Sequence, residues 1–301
     1  MFKLFPADGF STRDPHVIFH KGKYYHCYTT DAASVSVRCA DTIQGLSEAQ
    51  GVLAWRPEAG QPWSEHVWAP ELHILDGKCY IYVAADDGDM SHHRMYVLEN
   101  GCDDPQRPYT LHGKITDPTD QYAIDGTVLE ISGQRYFSWS GRERDDIFIQ
   151  NIYIAKMADP YTLEGERVLL STPEYDWEKL GGQGVKGRSY VNEGPYGYAT
   201  QERQFLFYSA AGSWCEDYCI AVMELVGKDP LDAKAWKKYP QRIFSGNAAV
   251  KGAGHCSVLP VGEKTYVFFH AWDAEETNIV WTATTSWCAE LKLENGTFVL
   301  E

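Results

Sequence analysis

The chain contains the stretch Asp14-Pro-His-Val-Ile-Phe-His-Lys-Gly-Lys-Tyr-Tyr25, in which an apolar run, a tight polar turn and an aromatic run follow one another. β-branched and aromatic residues favour strands, and a Gly between two such runs supplies the positive φ of a hairpin turn. Similar units begin further along the chain, at Ala69, Asp125, Glu193 and Gly254. In four of the five units a Gly falls eight residues after the start, namely Gly22, Gly77, Gly133 and Gly262.

The repeat spacing indicates the architecture. Successive starts lie 55, 56, 68 and 61 residues apart, whereas a four-stranded propeller blade takes roughly 40–50 residues. Each unit is therefore long enough for one blade with extended loops. Hairpins with Gly turns also occur in β-sandwiches, but the shared register and even spread favour an all-β, five-bladed β-propeller. We expect residues 1–301 to form a single domain.

Composition limits the classes of function. The 301 residues include 42 acidic and 27 basic side chains, which gives a formal charge of −15. Such a surface repels phosphate backbones and anionic lipids, so we expect neither a nucleic-acid partner nor a membrane partner. Apolar residues make up 44% of the chain, which excludes a disordered protein. The 14% aromatic content fits strands and also offers flat surfaces for sugar rings.

The N-terminal sequence and the cysteines give an expectation for the cellular location of the protein. The first residues lack the 7–15-residue apolar segment of a signal peptide. The eight cysteines are scattered rather than arranged as the dense framework of a small secreted domain. We therefore expect a cytoplasmic protein, or a secreted one if a leader has been removed. Cys215 and Cys219 are the only close pair, and two structural thiols are favoured over a metal site.

Acidic residues recur at the starts of the units. Inner propeller strands begin at the central axis, so we expect the first positions to meet at one opening. Three of these five positions are Asp14, Asp125 and Glu193. Each could simply cap a turn, but three carboxylates at one repeat position favour a shared site. Mutual repulsion and burial should raise the pKa of at least one of them.

Glycoside hydrolases use a protonated carboxyl group together with an ionised carboxylate. One donates a proton to the leaving oxygen, and the other activates water or attacks the anomeric carbon. Neither the Walker phosphate loop nor the Gly-x-Ser-x-Gly motif of a serine nucleophile occurs in the chain.

Five segments in order resemble glycoside hydrolase family 43, whose members are five-bladed propellers that remove arabinose or xylose from plant polysaccharides. They are Asp14-Pro15, Trp68-Ala-Pro-Glu-Leu-His73, Ala123-Ile-Asp125-Gly-Thr, Asn192-Glu193-Gly-Pro and Gly254-His255. The resemblance implies an inverting enzyme with Asp14 as general base and Glu193 as general acid. Asp125 would orient the acid and raise its pKa.

The same resemblance implies an ion on the propeller axis. His255 matches a histidine that faces such an ion, calcium or sodium, through water, and no organic cofactor is implied. Further runs, among them His93-Arg-Met-Tyr-Val-Leu-Glu99 and Pro173-Glu-Tyr-Asp-Trp177, resemble the exo-acting α-L-arabinofuranosidases of this family. Cys256 departs from the pattern, and no arginine follows Arg242 in the last blade.

Three residues are candidates for substrate binding. Trp68 precedes a repeat start, where its ring could stack on a sugar or simply pack within the blade. Asn192 and Tyr190 precede the expected acid and could contact sugar hydroxyls, although a structural role is favoured for each. The stretch Asp86-Asp87-Gly88-Asp89 lacks the Glu that completes an EF-hand loop and is interpreted as a polar turn or a substrate-facing loop.

The sequence thus predicts release of terminal α-L-arabinofuranose from arabinan or arabinoxylan oligosaccharides, with arabinose- or xylose-containing oligosaccharides as partners. A β-xylosidase or an endo-arabinanase of the same family is the alternative. A propeller that binds sugar without catalysis is the alternative from another class.

Overall fold

The computed structural model describes residues 1–5, 12–181 and 190–301. These ranges form 21 strands in five sheets. Blade 1 contains β2 (His16–His20), β3 (Lys23–Thr30), β4 (Ser34–Ala40) and β5 (Val52–Trp55). Blade 2 contains β6 (Glu65–Leu75), β7 (Lys78–Asp86), β8 (Arg94–Glu99) and β9 (Thr110–Ile115). Blade 3 contains β10 (Ala123–Ile131), β11 (Gln134–Gly141), β12 (Asn151–Asp159) and β13 (Thr162–Ser171).

The last two blades complete the ring. Blade 4 contains β14 (Asn192–Ala199), β15 (Gln204–Ala210), β16 (Cys219–Leu225) and β17 (Trp236–Lys238). Blade 5 contains β18 (Val250–Val261), β19 (Lys264–Asp273), β20 (Thr285–Glu294), β21 (Thr297–Leu300) and the N-terminal strand β1 (Phe2–Phe5). Short 3₁₀ helices occur at Gln44–Ser47, Met90–His92, Asp176–Lys179, Ala233–Ala235 and Trp281–Ala283. No helix in the described ranges is long and apolar enough to span a membrane.

Hydrophobic clusters between neighbouring blades hold the ring together. One cluster joins blades 1 and 2, and equivalent clusters join each later pair. The fifth cluster joins blade 5 back to blade 1, where Leu4 and Phe268 pack with Val17 and Leu46. Since every interface of the ring buries apolar side chains, the predicted five-bladed propeller is confirmed.

The N-terminal strand closes the ring by hydrogen bonding. β1 pairs antiparallel with β20, with Phe2 opposite Cys288 and Phe5 opposite Ser286. Blade 5 is therefore assembled from residues at both ends of the chain.

The inner hairpins differ in turn type. As a result, the turn Gly of blade 5 is the first of the two turn residues, whereas in blades 1 to 3 it is the second. The pairs Lys21–Gly22, Asp76–Gly77 and Ser132–Gly133 have positive φ at both central residues, as in a type I′ turn. In blade 5 the two-residue turn begins with Gly262, whose φ is +61°, as in a type II′ turn. The fourth hairpin instead uses a four-residue loop between Ala199 and Gln204.

A β-bulge lies near the start of each inner strand in blades 2 to 5. One residue there has left-handed φ, and Asp14 has the same conformation just before β2. The left-handed residues, blade by blade, are Asp14 (φ 50°), Ala69 (43°), Asp125 (57°), Gly194 (54°) and His255 (50°).

The bulge corrects the repeat alignment. Glu193 and Gly254 are the last paired residues before the bulge, opposite Ser209 and His270. They correspond to Trp68 and Ile124 rather than to Asp14 and Asp125. The expectation that all three acids occupy one repeat position is therefore wrong by one residue for Glu193. The different turns of blades 4 and 5 hid this offset in the sequence.

Candidate active site

The N-terminal ends of the inner strands surround a cavity of about 700 Å³. Asp14, Asp125 and Glu193 all line it, although they come from three different blades. Trp68 and His255 line it as well. Bulges in blades 2 to 5, and the left-handed Asp14 just before β2, turn the chain at the starts of the inner strands, so carboxylates distant in sequence meet at one cavity.

Asp14 is held in an environment that favours its charged form. The Nδ1 atom of His255 lies 3.1 Å from Asp14 Oδ1, and the Asp14 backbone N–H donates to Nδ1 of His270 at 3.2 Å. Burial opposes ionisation, but His255, His270 and the guanidinium of Arg13 outweigh it and hold the pKa of Asp14 well below its usual range. Asp14 is thus an ionised carboxylate at neutral pH.

Asp125 is buried in the same cavity but is shifted the other way. Its Oδ2 accepts a hydrogen bond from the backbone N–H of Gly194 at 3.0 Å. Burial, followed by the repulsion of the Asp14 carboxylate, raises the pKa of Asp125 to about 6 against the attraction of His255.

Glu193 is the carboxyl most strongly favoured in its neutral form. Burial and the neighbouring Asp125 raise the pKa of Glu193 to about 7. The hydroxyl of Tyr218 donates to Glu193 Oε1 at 2.8 Å and fixes the orientation of the carboxyl. Tyr218 is fully buried and stacks on His270, with ring centroids 5.5 Å apart. Glu193 can therefore hold a proton near neutral pH.

His255 links the carboxylates electrostatically. Its Nδ1 lies 4.0 Å from Asp125 Oδ2 as well as close to Asp14. Burial lowers the pKa of His255, but the charges of Asp14, Asp125 and Glu193 together raise it above its ordinary value. Its backbone N–H donates to Ser209 Oγ at 2.6 Å, which holds the residue on the axis.

The surroundings of His255 supply few ligands for a calcium ion. Calcium takes six to eight oxygen ligands, whereas His255 offers one nitrogen beside the carboxylates of Asp14 and Asp125. An ion facing His255 would thus be held largely by water.

A second group of potential ligands lies on β2 and β6. Ligand atoms of His16, Glu71 and His73 all lie within 4.8 Å of one another. However, Nδ1 of His16 accepts a hydrogen bond from the backbone N–H of Leu72 at 3.2 Å. The neutral ring must then carry its proton on Nε2, which leaves no lone pair there for a metal.

The ring of Trp68 is held in place by the side chain of His93. Its ring stacks on His93 with centroids 4.1 Å apart, and His93 Nδ1 lies 3.0 Å from the fully buried carboxylate of Asp86. Since Trp68 also lines the cavity, its position is compatible with the predicted stacking on a sugar.

The other two predicted contact residues, Asn192 and Tyr190, bond to the protein itself. Asn192 is fully buried, and its Nδ2 donates to Ser171 Oγ at 2.7 Å and to Glu178 Oε1 at 3.2 Å. The carbonyl of Tyr190 accepts from the backbone N–H of Gln150 at 2.9 Å. Neither is among the described residues that line the cavity, and their contacts with sugar stay predictions.

Sequence reasoning missed much of the cavity wall. The missed residues include Arg13, Thr29, Met90, Ser91, Arg142, Phe148, Gln150, Ser213, Trp214 and Trp281. Arg13 could have been found because it precedes Asp14, and Trp214 and Trp281 because they are tryptophans in loops between strands. Gly88 and Asp89 line the cavity, which agrees with the interpretation of Asp86–Asp89 as a substrate-facing loop.

Arg142 is the most unusual of the missed residues. Its guanidinium lies 3.7 Å from the ring centroid of Tyr122 and 4.8 Å from that of Phe148. The side chain is 8% exposed, and its Nε has no hydrogen-bond partner within the described part of the chain. A buried guanidinium that faces a cavity is suited to binding ligand oxygens.

The family model for glycosyl hydrolases family 43 matches residues 7–292. The chain belongs to glycosyl hydrolase family 43. It is accordingly a glycoside hydrolase, as its sequence predicted.

Individual members of family 43 are similar over most of the chain. An extracellular exo-α-(1→5)-L-arabinofuranosidase of Streptomyces chartreusis is 34% identical over 86% of this chain and 79% of its own length. The enzyme of the same name from Streptomyces avermitilis is 33% identical over 85% of this chain, which spans about half of that longer relative.

Solved structures of the family share the fold. An α-L-arabinofuranosidase from Lactobacillus brevis superposes with a TM-score of 0.86 at 31% identity, covering 95% of this chain and 92% of its own. A thermostable family 43 glycoside hydrolase gives a TM-score of 0.82 at 24% identity, covering 100% of this chain and 96% of its own, which shows the fold alone.

Proposed function

We propose that this chain is an inverting, exo-acting α-L-arabinofuranosidase that releases terminal α-L-arabinofuranose from arabinan or arabinoxylan oligosaccharides. The substrate class is supported by relatives named as arabinofuranosidases at 33–34% identity. The observation that carries the mechanism is the opposite displacement of two carboxyl pKa values in one cavity. Asp14 is held ionised, while the pKa of Glu193 is raised to about 7.

In the proposed reaction Glu193 acts as the general acid. Its protonated carboxyl, oriented by Tyr218, donates its proton to the glycosidic oxygen as the bond to the anomeric carbon breaks. Asp14 acts as the general base and takes a proton from a water molecule that attacks the anomeric carbon from the opposite face. Inversion of configuration follows from this single displacement.

The cycle closes when protons return to their starting positions. After cleavage Asp14 is protonated and Glu193 is ionised. Asp14 must then release its proton to solvent, and Glu193 must take up a proton from solvent. Asp125 raises the pKa of Glu193 by its charge, which favours reprotonation of the acid. Asp125 is therefore a positioning residue in this scheme.

The test combines two substitutions with a stereochemical measurement. Glu193→Gln should lower kcat on linear arabino-oligosaccharides by about 10²–10⁴, the usual contribution of general acid catalysis. The loss should be smaller on nitrophenyl arabinofuranoside, whose leaving group needs little protonation. Asp14→Asn should lower activity on both substrates by a similar factor.

Proton NMR of the first product formed by the wild-type enzyme identifies the mechanism. The β anomer of arabinose is expected, and the α anomer would contradict the inverting scheme. Full activity in both variants would instead favour a propeller that only binds sugar. Faster cleavage of nitrophenyl xyloside, or release of internal fragments from arabinan, would favour the xylosidase or the endo-arabinanase.

We also propose that an ion, calcium or sodium, lies on the axis near His255 and is held mainly through water. Elemental analysis of the purified protein tests this directly. Less than about 0.1 equivalent of bound ion, with no change in melting temperature on adding calcium, would argue against the ion.

A further inference from the structure

We propose that His93, which lies behind the cavity wall, is a doubly protonated imidazolium whose charge fixes the position of Trp68 in the active site. The His93 side chain is fully buried and is not among the described residues that line the cavity. It can therefore act on the reaction only through its neighbours, as a positioning residue. Its effect on catalysis rests on the proposed arabinofuranosidase function, whereas its protonation state does not depend on that function.

Both ring nitrogens of His93 face oxygen atoms that accept hydrogen bonds. Nε2 lies 3.0 Å from the backbone carbonyl oxygen of His66. Nδ1 lies 3.0 Å from the backbone carbonyl oxygen of Met90 and 3.0 Å from Oδ2 of Asp86. A neutral imidazole has one N–H donor and one lone pair, so one nitrogen would direct its lone pair at a carbonyl oxygen. Protonation of both nitrogens turns each contact into a hydrogen bond.

Asp86 supplies the negative charge that a buried imidazolium needs. Its carboxylate is fully buried, accepts a hydrogen bond from the backbone N–H of Gly88 at 2.8 Å and lies 2.9 Å from Nδ1 of His66. Burial raises the pKa of Asp86, but the hydrogen bonds from His93, Gly88 and His66 outweigh it and hold the pKa below its usual range. The ionised carboxylate and the imidazolium then neutralise each other in the protein interior.

The charge of Arg94, the next residue along the chain, is balanced by other groups. Its Nη1 donates to the backbone carbonyl of His93 at 2.9 Å. Its Nε and Nη2 pair with the carboxylates of Asp120 at 3.2 Å and Asp145 at 3.0 Å. These two carboxylates offset the repulsion between the guanidinium and a charged His93 ring.

The contacts of His93 connect three parts of the cavity wall. Its ring stacks on Trp68 with centroids 4.1 Å apart and meets the ring of Tyr122 edge-on at 6.0 Å. Its Nδ1 contacts the carbonyl of Met90. Trp68, Tyr122 and Met90 all line the cavity. An imidazolium over the face of an indole gains a cation–π attraction that a neutral ring lacks, so the charge acts directly on the ring of Trp68.

Nitrogen-15 NMR of the full chain with labelled histidine measures the protonation state directly. We expect both ring nitrogens of His93 to carry protons at pH 7, and the signal is assigned by its loss in His93→Gln. Asp86→Asn removes the counter-ion, so one of the two nitrogens should lose its proton there. A single protonated nitrogen on His93 in the wild-type protein would overturn the proposal.

His92→Gln is the matched control for these spectra. His92 is an exposed histidine whose Nδ1 lies 3.0 Å from the carboxylate of Asp87, so it forms a similar pair at the surface. The signal of His93 should be unchanged in this variant.

Kinetics on arabinotriose test the positioning role. A sugar that stacks on Trp68 does so in the bound substrate and in the transition state, so a displaced ring should raise KM more than it lowers kcat. His93→Phe keeps an aromatic ring behind Trp68 but carries no charge. We expect it to raise KM by about tenfold and to lower kcat by less than about threefold. His92→Gln should leave both constants unchanged.

A double variant shows whether His93 acts through Trp68. The effect of His93→Phe on KM should disappear in a Trp68→Ala background, because residues that act together are not additive. Wild-type kinetics in His93→Phe would overturn the positioning role, and so would an equal effect of this substitution in both backgrounds. Melting curves show which variants are folded, and His93→Gln replaces His93→Phe in the kinetics if the latter does not fold.

Failure of the proposed function gives a different result. If the wild-type enzyme cleaves no arabino-oligosaccharide, the arabinofuranosidase assignment and the kinetic role of His93 fail together. The NMR spectra still decide the protonation state of His93, because they need no substrate.

Discussion

At the scale of single residues, the site depends on keeping two carboxyl groups of one cavity in different protonation states. His255 Nδ1 lies 3.1 Å from the Asp14 carboxylate, which therefore has a nearby partner that favours its charged form. Glu193 faces Tyr218 and the negative Asp125, so its neutral form is favoured by burial and repulsion. The difference arises from neighbours that are distant in sequence, and this is why residue type alone could not assign the roles.

The first prediction concerns the pH dependence of activity. Glu193 must be protonated to act, and its pKa is about 7, so we expect kcat/KM to fall about tenfold per pH unit above that value. Asp14 must be ionised, and its pKa lies well below the usual range, so activity should persist into acidic solution. The measurement is a pH profile on arabinotriose, and constant activity up to pH 9 would contradict the assignment of Glu193.

The second prediction concerns Tyr218. Its hydroxyl donates a hydrogen bond to Glu193. This bond favours the ionised carboxylate, so the pKa of Glu193 is lower than it would be without the bond. Tyr218→Phe should therefore raise the pKa of Glu193 and move the alkaline limb of the profile to higher pH. We expect kcat to fall by about tenfold because the carboxyl loses its orientation. A purely structural role for Tyr218 would lower stability and leave the alkaline limb unmoved.

At the scale of single elements, the bulged inner strand is the unit that builds the site. Each bulge contains one left-handed residue, and in blades 2 to 4 the residue before it, Trp68, Ile124 or Glu193, lines the cavity. The acid and the base thus occupy two different positions of the repeat, Glu193 before the left-handed residue and Asp14 on it. A left-handed residue other than Gly costs about 1–2 kcal/mol, and Asp14, Asp125 and His255 bear this cost at the cavity.

The third prediction tests the close packing behind the acid. A Cβ atom on Gly254 would lie 2.1 Å from Cε1 of Tyr218. Gly254→Ala should cost about 1–3 kcal/mol of stability by overpacking and should displace the hydroxyl from Glu193. We expect the alkaline limb to move to higher pH, as in Tyr218→Phe.

Gly197→Ala provides the control for this prediction. Its Cβ would lie 2.8 Å from Leu129 Cγ, on the same strand as Glu193 but against a different neighbour. It should also lower the urea midpoint yet leave the pH profile unchanged. Equal profiles for both variants would mean that Gly254 does not act through Tyr218.

A site residue could be predicted from the sequence only if it belongs to the repeated part of a blade. Asp14, Asp125 and Glu193 stand at repeat starts, so their meeting in one cavity could be predicted. Arg142 and Trp281 stand in blade-specific segments without a repeat signal, and only the tertiary fold brings them to the cavity. The one-residue offset at Glu193 could not be predicted either, because it depends on bulge and turn geometry.

At the scale of the whole molecule, the ring is closed by a strand from the far end of the chain. Leu4 and Phe5 of β1 are 2% and 3% exposed and complete the cluster between blades 5 and 1. The ring of Phe5 stacks on His26 with centroids 4.5 Å apart. Apolar contacts and strand pairing therefore act together at this closure.

The fourth prediction follows from that packing. Phe5→Ala should destabilise the protein by about 3–5 kcal/mol, the usual cost of removing a buried aromatic side chain. Val299→Ala on β21, a residue that is 37% exposed, should change stability by less than about 0.5 kcal/mol. Urea unfolding followed by tryptophan fluorescence measures both. A small effect of Phe5→Ala would show that β1 contributes little to closure.

The fold was more predictable than the site because it repeats. Five hairpins with similar spacing identify five blades, whichever residues fill their loops. The closure by β1 was not predictable in the same way, since Phe2–Phe5 is a short apolar segment without a hairpin of its own. Its partner strand lies more than 280 residues away, beyond the reach of local patterns.

The shared fifth blade also sets an order on folding during synthesis. Blades 1 to 4 are each made of consecutive strands and can form their hairpins as the chain emerges. Phe2 has no strand partner until Cys288 has been added. Strand β1 can therefore pair only after blades 1 to 4 and most of blade 5 have been made, and closing this long loop completes the ring of five blades.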